Sequence, residues 1–250
     1  MSPLAFHVHG DAAETQSALL YQADTATKRR ILFVLAHGAG AGHAHPWIVR
    51  YARAIADRGV DVVSFNFPYK EAGRSAPDRA PVLEDAFRRV LSSSVGHRHV
   101  DASRLFIGGK SMGGRIATHL ASAPELWPKD VPRLDGVIVF GYPLNPPGGS
   151  KRSADRVSHL AGIASPTLVI QGTRDTFGRP DSIREAVAAH APRAPITVHG
   201  IDGADHSLAV RKSTQEEVDA AIWDEVVTWM AKVADRSGHS PVIPVIPSFL

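Results

Sequence analysis

An apolar segment that leads into a glycine-flanked serine constrains the fold of this chain more than any other feature. Residues 105–107 form a strand-like run, and residues 109–113 have the form G-x-S-x-G before a helical segment. A serine in such a sharp strand-to-helix turn is strained, and its hydroxyl is exposed at the end of a sheet. The flanking glycines let the two backbone arms approach closely. The pattern predicts a nucleophile elbow with Ser111 at the N-terminus of a helix.

The same residues allow a second interpretation, because Gly109-Lys110-Ser111 resembles the end of a phosphate-binding P-loop. That motif requires a glycine five residues before Gly109, and Arg104 occupies this position. A P-loop also needs a flexible loop, whereas the strand-like run here reaches almost to the motif. The sequence therefore disfavours a P-loop and leaves a glycine-rich turn without function as the remaining alternative.

The composition indicates a globular α/β protein. The chain has 250 residues, 44% hydrophobic and 21% charged, and we expect one domain over residues 1–236 and an extended proline-rich tail over 237–250. The absence of cysteine excludes disulfides and thiolate chemistry. Together with the lack of a leader-like segment, it favours a cytoplasmic location. No apolar run is as long as a membrane helix, and the scattered basic residues predict neither membrane nor nucleic-acid binding.

Near-continuous apolar strands alternate with helical segments along the chain, which predicts a mostly parallel central sheet with helices on both faces. The strands are expected at 31–36, 60–67, 105–108, 137–140, 167–170 and 196–198, and the helices at 47–58, 80–95, 112–121, 152–160, 181–190 and 214–233. Residues 6–9 and 17–21 predict an antiparallel pair at the sheet edge. The segment 142–150 is too short for a large lid domain.

A nucleophilic serine needs a base to accept its proton and a carboxylate to orient that base. In the α/β-hydrolase fold these residues follow in the order Ser, acid, His at the ends of strands. Asp175 follows the strand expected at 167–170, and His206 follows the strand expected at 196–198. The sequence therefore predicts an α/β-hydrolase fold with a triad of Ser111, Asp175 and His206.

Other acidic and histidine residues offer alternatives to this assignment. Asp202 and Asp205 are rival acids, but both lie too close in sequence to His206 to approach it from a neighbouring strand. Three His-x-His pairs raise the question of a metal, and they are His7/His9, His43/His45 and His97/His99. No carboxylate accompanies them at ligand spacing, so we expect no metal site and no cofactor.

The loop after the first core strand contains small residues that let backbone amides approach an acyl oxygen. The Met112 and Ala39 amides are the expected oxyanion donors, with Gly40 as the alternative to Ala39. His37 is expected to support this loop by hydrogen bonds. The loops at 66–75 and 142–147 should form the pocket walls, and the expected pocket residues are His37, Tyr69, Lys70 and Tyr142.

Seven short segments carry a resemblance to a known family. They are HGAGAG (37–42), FPY (67–69), APDR (76–79), GGKSMGGR (108–115), FGYPL (140–144), QGTRD (171–175) and DHS (205–207). Together they resemble the small α/β-hydrolases of the testis-expressed protein 30 type, which include a hydrolase-like subunit of a chromatin acetyltransferase complex and are related to dienelactone hydrolases. The resemblance covers most of residues 30–232 and implies that Ser111, Asp175 and His206 carry the triad.

These observations predict a carboxylesterase-like serine hydrolase with an open cleft that acts on small-molecule, short-acyl esters. Lactone hydrolysis or peptide cleavage by the same triad is an alternative, because the choice depends on the shape of the pocket. A catalytically silent interaction module is another, since some relatives in the resembled family act as scaffolds. A homodimer is left open by the sequence.

Overall fold

An eight-stranded sheet forms the centre of the molecule in the computed structural model, which describes residues 2–10, 15–145, 156–211 and 215–236. Its strands are β1 (Leu4–His9), β2 (Thr15–Tyr21), β3 (Ile31–Ala36), β4 (Val60–Phe65), β5 (Arg104–Lys110), β6 (Gly136–Phe140), β7 (Thr167–Gly172) and β8 (Ile196–Ile201). The strand order is β1-β2-β4-β3-β5-β6-β7-β8. Strands β3 to β8 are parallel, and β2 pairs antiparallel with both β1 and β4.

Helices cover both faces of the sheet. They are α1 (Pro46–Ala56), α2 (Pro68–Glu71), α3 (Ala80–Val95), α4 (Met112–Ser122), α5 (Pro180–His190) and α6 (Gln215–Arg236). Buried residues of α1 and α6 belong to one hydrophobic core, and those of α3, α4 and α5 belong to the other. The sequence of β3 is apolar throughout because its six residues point alternately into the two cores and all are buried.

The structure confirms the α/β-hydrolase fold and the antiparallel pair at the sheet edge. Most predicted elements differ only at their ends, and β7 and β8 extend further than expected, to Gly172 and Ile201. The described part of the helix expected at 152–160 is a short 3-10 helix at Ser158–Gly162, which ends two residues later than expected. Residues 146–155 and the predicted tail at 237–250 lie outside the described residues.

The parallel strands bring the candidate residues to one end of the sheet. Strand β5 lies at the centre, between β3 and β6, so the loop after it meets the loops after its neighbours at the same edge. Among the described residues, no separate lid domain stands over this edge. None of the helices in the described ranges is long and apolar enough to cross a membrane.

Candidate active site

The turn between β5 and α4 holds Ser111 in a strained conformation. Ser111 caps α4 with φ 51° and ψ −115°, a region that residues with a side chain rarely adopt. The backbone segments before and after Ser111 pass so close to each other that the flanking glycine positions have no room for a side chain. A Cβ on Gly109 would lie 2.7 Å from the Gly113 carbonyl carbon across the turn, and one on Gly113 would lie 2.5 Å from the His37 oxygen in the loop after β3. The predicted close approach at the flanking glycines is confirmed.

The structure brings the three predicted residues into one hydrogen-bonded series. His206 Nε2 lies 2.9 Å from Ser111 Oγ, and His206 Nδ1 lies 2.7 Å from Asp175 Oδ2. Because an ionised carboxylate can only accept, Nδ1–H donates to Asp175 and Nε2 is left to accept from the Ser111 hydroxyl. The Asp175 side chain is fully buried and also accepts from Gln171 Nε2 and the Phe177 amide, both at 2.8 Å.

The two rival acids have other partners. Asp202 accepts from Thr173 Oγ1 at 3.3 Å on the protein surface. Asp205 Oδ1 accepts from the amides of Ser207 at 2.7 Å and Ala209 at 3.1 Å. Asp205 therefore folds the loop that carries the histidine, and it does not meet the imidazole ring.

The expected oxyanion donors differ in whether they line the cavity in front of Ser111. Met112 is the first residue of α4, so its N–H has no acceptor within the helix. Met112 and Ala39 both line the cavity in front of Ser111, and Gly40 does not. Burial raises the pKa of Tyr69, and a hydrogen bond from the Gly40 amide to the Tyr69 hydroxyl partly offsets this effect. The arrangement favours Ala39 over Gly40 as the second donor.

A cavity of about 520 Å³ opens in front of Ser111 and His206. This volume is in the range that binds small molecules. Its apolar lining includes Trp47 from α1, Leu83 from α3 and Phe177 from the loop after β7. These side chains come from elements that are distant in sequence, so the cavity exists only once the sheet has assembled.

The residues expected to line the pocket lie elsewhere, which corrects that part of the sequence analysis. None of His37, Tyr69, Lys70 and Tyr142 lines the cavity. Tyr69 and Tyr142 are 0% and 2% exposed, because their rings turn into the hydrophobic core. Lys70 lies in α2, outside the lining. The loop at 76–80 supplies the wall that was expected from 66–75.

His37 supports the loop after β3, as the sequence predicts. Its Nδ1–H donates to the Gly38 carbonyl at 2.8 Å, and its Nε2 accepts from the Phe67 amide at 3.1 Å. Burial lowers the pKa of His37 to about 4, so the ring is neutral at physiological pH. The neutral ring can make both hydrogen bonds at once, which joins the loop that holds Ala39 to the end of β4.

Three cationic side chains of the cavity lining were missed by sequence reasoning. They are Lys110, Arg115 and Arg156. The Lys110 ammonium donates to the backbone carbonyl of His206. Burial lowers the pKa of Lys110 to about 8, against the opposing effect of Asp175 and Asp205. A signal for Arg115 was present, because it lies in the first turn of the helix that follows Ser111.

The contacts of His45, His97 and His99 are structural. His45 Nδ1 accepts from the Trp47 amide at 3.2 Å and so caps α1. The His97 and His99 rings lie 5.6 Å apart at the surface, next to β1. Within the described ranges, no three His, Cys, Asp or Glu side chains form a group that could hold a metal ion.

Comparison with solved structures shows the same fold in several hydrolases. An α/β serine hydrolase without lid from Xanthomonas campestris has 16% identity and a TM-score of 0.65, covering 96% of this chain and 98% of its own. A dienelactone hydrolase from Anabaena variabilis has 16% identity and a TM-score of 0.65, with 93% and 99% covered. Esterase 2 of Thermogutta terrifontis, in a structure phosphorylated by paraoxon, has 14% identity and a TM-score of 0.67, with 93% and 94% covered.

Comparison with protein families gives a match over most of the chain. The matched family is described as an alpha/beta hydrolase domain, and the match spans residues 29–235. This range begins just before β3 and ends within α6, so it contains the parallel part of the sheet and every element around Ser111. The chain belongs to this α/β hydrolase domain family.

Proposed function

We propose that this protein is a serine hydrolase that cleaves small carboxylic esters through an acyl-enzyme. The observation that carries this proposal is the hydrogen-bonded series of Ser111, His206 and Asp175 at the cavity surface. The esterases and serine hydrolases that share the fold support the same reaction class. The segments that resemble the testis-expressed protein 30 type support, as part of this proposal, a relationship to those small hydrolases.

The first half of the reaction transfers the acyl group to the protein. The Ser111 oxygen bonds to the ester carbonyl carbon while its proton passes to His206 Nε2. Asp175 holds the Nδ1 proton and stabilises the imidazolium that forms. The bond from the carbonyl carbon to the leaving oxygen then breaks, and His206 returns its proton to the departing alcohol.

The second half of the reaction releases the acid. Water attacks the acyl carbon, gives its proton to His206 Nε2, and the bond to Ser111 breaks as the proton returns to the serine oxygen. In both halves the amides of Met112 and Ala39 donate to the negative oxygen. Such donors act strongly because they are fixed before the charge develops.

The size of the cavity supports small substrates. A volume of about 520 Å³ accommodates a short acyl group and a small alcohol, and the cavity opens directly at the sheet edge. Nitrophenyl esters with short acyl chains should therefore turn over faster than long-chain ones. A lactone is opened by the same bond changes, so a panel of esters and lactones measures the preference.

A fluorophosphonate probe tests the nucleophile directly. The wild-type protein should gain one probe mass, located at Ser111 by peptide mapping, and Ser111→Ala should gain none. Removal of a serine nucleophile lowers kcat about 10⁴- to 10⁶-fold in triad enzymes, so ester hydrolysis by the Ser111→Ala protein should fall to background.

The matched control is Ser75→Ala, which changes an exposed serine outside the cavity lining. This variant should be labelled and active like the wild type. A folded wild-type protein that takes up no probe and cleaves no ester would overturn the proposal and would favour a catalytically silent interaction module. Labelling at another residue would reject Ser111 as the nucleophile.

A further inference from the structure

Some charged side chains of the cavity lining lie beside an opposite charge, and others do not. Asp78 lines one wall, and Arg74 forms an ion pair with it at 2.7 Å. Lys110 lies next to Asp175 and Asp205, whose negative charges favour its ammonium form. The two remaining cations, Arg115 and Arg156, have no carboxylate within ion-pair distance among the described residues.

Arg115 lies at a fixed distance from the candidate nucleophile. Its backbone N–H donates to the Ser111 carbonyl oxygen at 3.0 Å, which makes it the residue one helical turn further along α4. Both Ser111 and Arg115 line the same cavity. A substrate group bound by the Arg115 guanidinium would therefore share that cavity with the carbonyl that Ser111 attacks.

A neutral histidine holds the Arg115 side chain in place. Arg115 donates from one terminal nitrogen to His119 Nε2 at 3.0 Å, and His119 Nδ1–H donates to Glu84 Oε1 at 2.8 Å. Glu84 is thus separated from the guanidinium by the imidazole ring. The remaining N–H groups of a guanidinium form a planar fork that suits a carboxylate.

Arg156 lies at the same cavity and adds a second positive charge. Its terminal nitrogen donates to the Pro143 carbonyl at 3.1 Å, and its own carbonyl accepts from the Tyr142 hydroxyl at 2.5 Å. Burial lowers the pKa of Arg115, and the charge of Arg156 lowers it further, whereas Tyr142 and the more distant Glu84 carboxylate oppose this; the two guanidinium groups therefore repel each other. A bound anion would relieve this repulsion.

We propose that Arg115 and Arg156 form a carboxylate subsite, and that the preferred substrate is an ester of a dicarboxylic acid with one acid group free. The inference rests on the proposed function, because it names the substrate class of that site. The free carboxylate binds the two guanidinium groups while the ester carbonyl lies against Ser111. The cavity of about 520 Å³ has room for a short dicarboxylic acid such as adipic acid in this position.

The test compares monomethyl adipate with methyl hexanoate, which has a methyl group in place of the free carboxylate. Methanol release gives kcat/KM for each, and the wild type should prefer the anionic ester about tenfold or more. Arg115→Gln should bring this preference close to one, because the charge-assisted hydrogen bonds to the free carboxylate are lost. Arg115→Lys keeps the charge and should retain part of the preference.

The matched control is Arg133→Gln, which removes the same charge at an exposed position outside the cavity lining and should leave the preference unchanged. If both esters are cleaved with equal efficiency, or if Arg115→Gln lowers both equally, the carboxylate subsite is wrong while the proposed function stands. Melting temperatures of the three arginine variants show whether a loss of activity reflects unfolding.

A binding measurement keeps the two proposals separate. Adipate is titrated into the Ser111→Ala protein by calorimetry, which requires no catalysis. Binding that weakens about tenfold or more with Arg115→Gln in the same background supports the subsite even if no ester is turned over. Absence of adipate binding to the folded Ser111→Ala protein overturns it.

Discussion

His37 and His206 occupy similar places in the fold and differ in what their rings meet. Each follows a parallel strand, β3 or β8, at the same edge of the sheet. His37 is fully buried, and both of its nitrogens are bound to backbone groups. The His206 side chain is 24% exposed, and its nitrogens meet a hydroxyl and a carboxylate. The partners of the ring, rather than its place in the fold, separate a supporting histidine from a candidate base.

The rings of His37 and His206 also differ in the charge that their surroundings favour. Burial lowers the pKa of His37 to about 4, so this ring remains neutral and cannot serve as a proton carrier near neutral pH. His206 has a buried carboxylate at 2.7 Å, which stabilises the imidazolium form when the ring accepts a proton. The comparison predicts that changes around His206 affect turnover and that changes around His37 affect folding.

Among changes around the two histidines, the largest effect should come from Asp175→Asn. The asparagine cannot hold the His206 ring in the tautomer that leaves Nε2 free to accept, and the equivalent change in a triad protease lowers kcat about 10⁴-fold. Ester hydrolysis and the urea midpoint are measured together, and hydrolysis should fall while the protein remains folded. Asp202→Asn, at the rival acid, should retain activity within about twofold. Equal losses in the two variants would contradict the assignment.

The next effect concerns the stability of the protein in acid. His37 has a pKa of about 4 when folded and about 6.5 when unfolded, so below pH 6.5 the unfolded state binds more protons. The contribution of the neutral ring is therefore present above pH 6.5 and is lost as the pH falls toward 4. The loss is about 3 kcal/mol of unfolding free energy at full protonation of the folded ring.

Urea titrations between pH 4 and 8 measure this effect in the wild type and in His37→Gln. A glutamine can donate to Gly38 and accept from Phe67, yet it does not titrate. The difference in unfolding free energy between the two proteins should fall by about 3 kcal/mol across this range. A difference that is constant with pH would show that His37 is not held neutral by burial.

The smallest effect should come from Lys110→Met, which removes the hydrogen bond from the lysine to the His206 carbonyl. We expect a loss of about threefold to tenfold in kcat/KM, because the ring keeps its side-chain partners while its loop loses one charged donor. Burial lowers the pKa of Lys110 to about 8, so the wild-type rate should begin to decline above that pH. The pH–rate profile of the variant should lack this decline. A decline that persists in Lys110→Met would assign it to another group.

The fold and the hydrogen-bonded series of candidate residues could be predicted because their signals are local in the sequence. Apolar strands alternate with helical segments, and Ser111, Asp175 and His206 each follow a strand in the order that the fold requires. Parallel strands then bring their ends to one edge without further information. The structure supplied the distances that join the three side chains.

The cavity walls could not be predicted, because they depend on where side chains turn after the sheet has assembled. Tyr69 lies in α2 and Tyr142 in the loop after β6, yet both rings are buried in the core, since aromatic rings gain most by leaving water. Trp47 and Phe177 reach the cavity from α1 and from the loop after β7. No sequence periodicity relates these positions. Arg115 is the exception, because its helical spacing from Ser111 is visible in the sequence.

The backbone strain at Ser111 has an evolutionary consequence. A serine with φ 51° carries a conformational cost on the order of 1–3 kcal/mol, and glycine at this position would carry little of it. A single substitution to glycine would thus remove the hydroxyl that the proposed chemistry needs and relieve the backbone strain at once. Folding stability alone therefore favours glycine over serine at this position, and a gene copy freed from any need for the hydroxyl could drift toward a more stable protein without it.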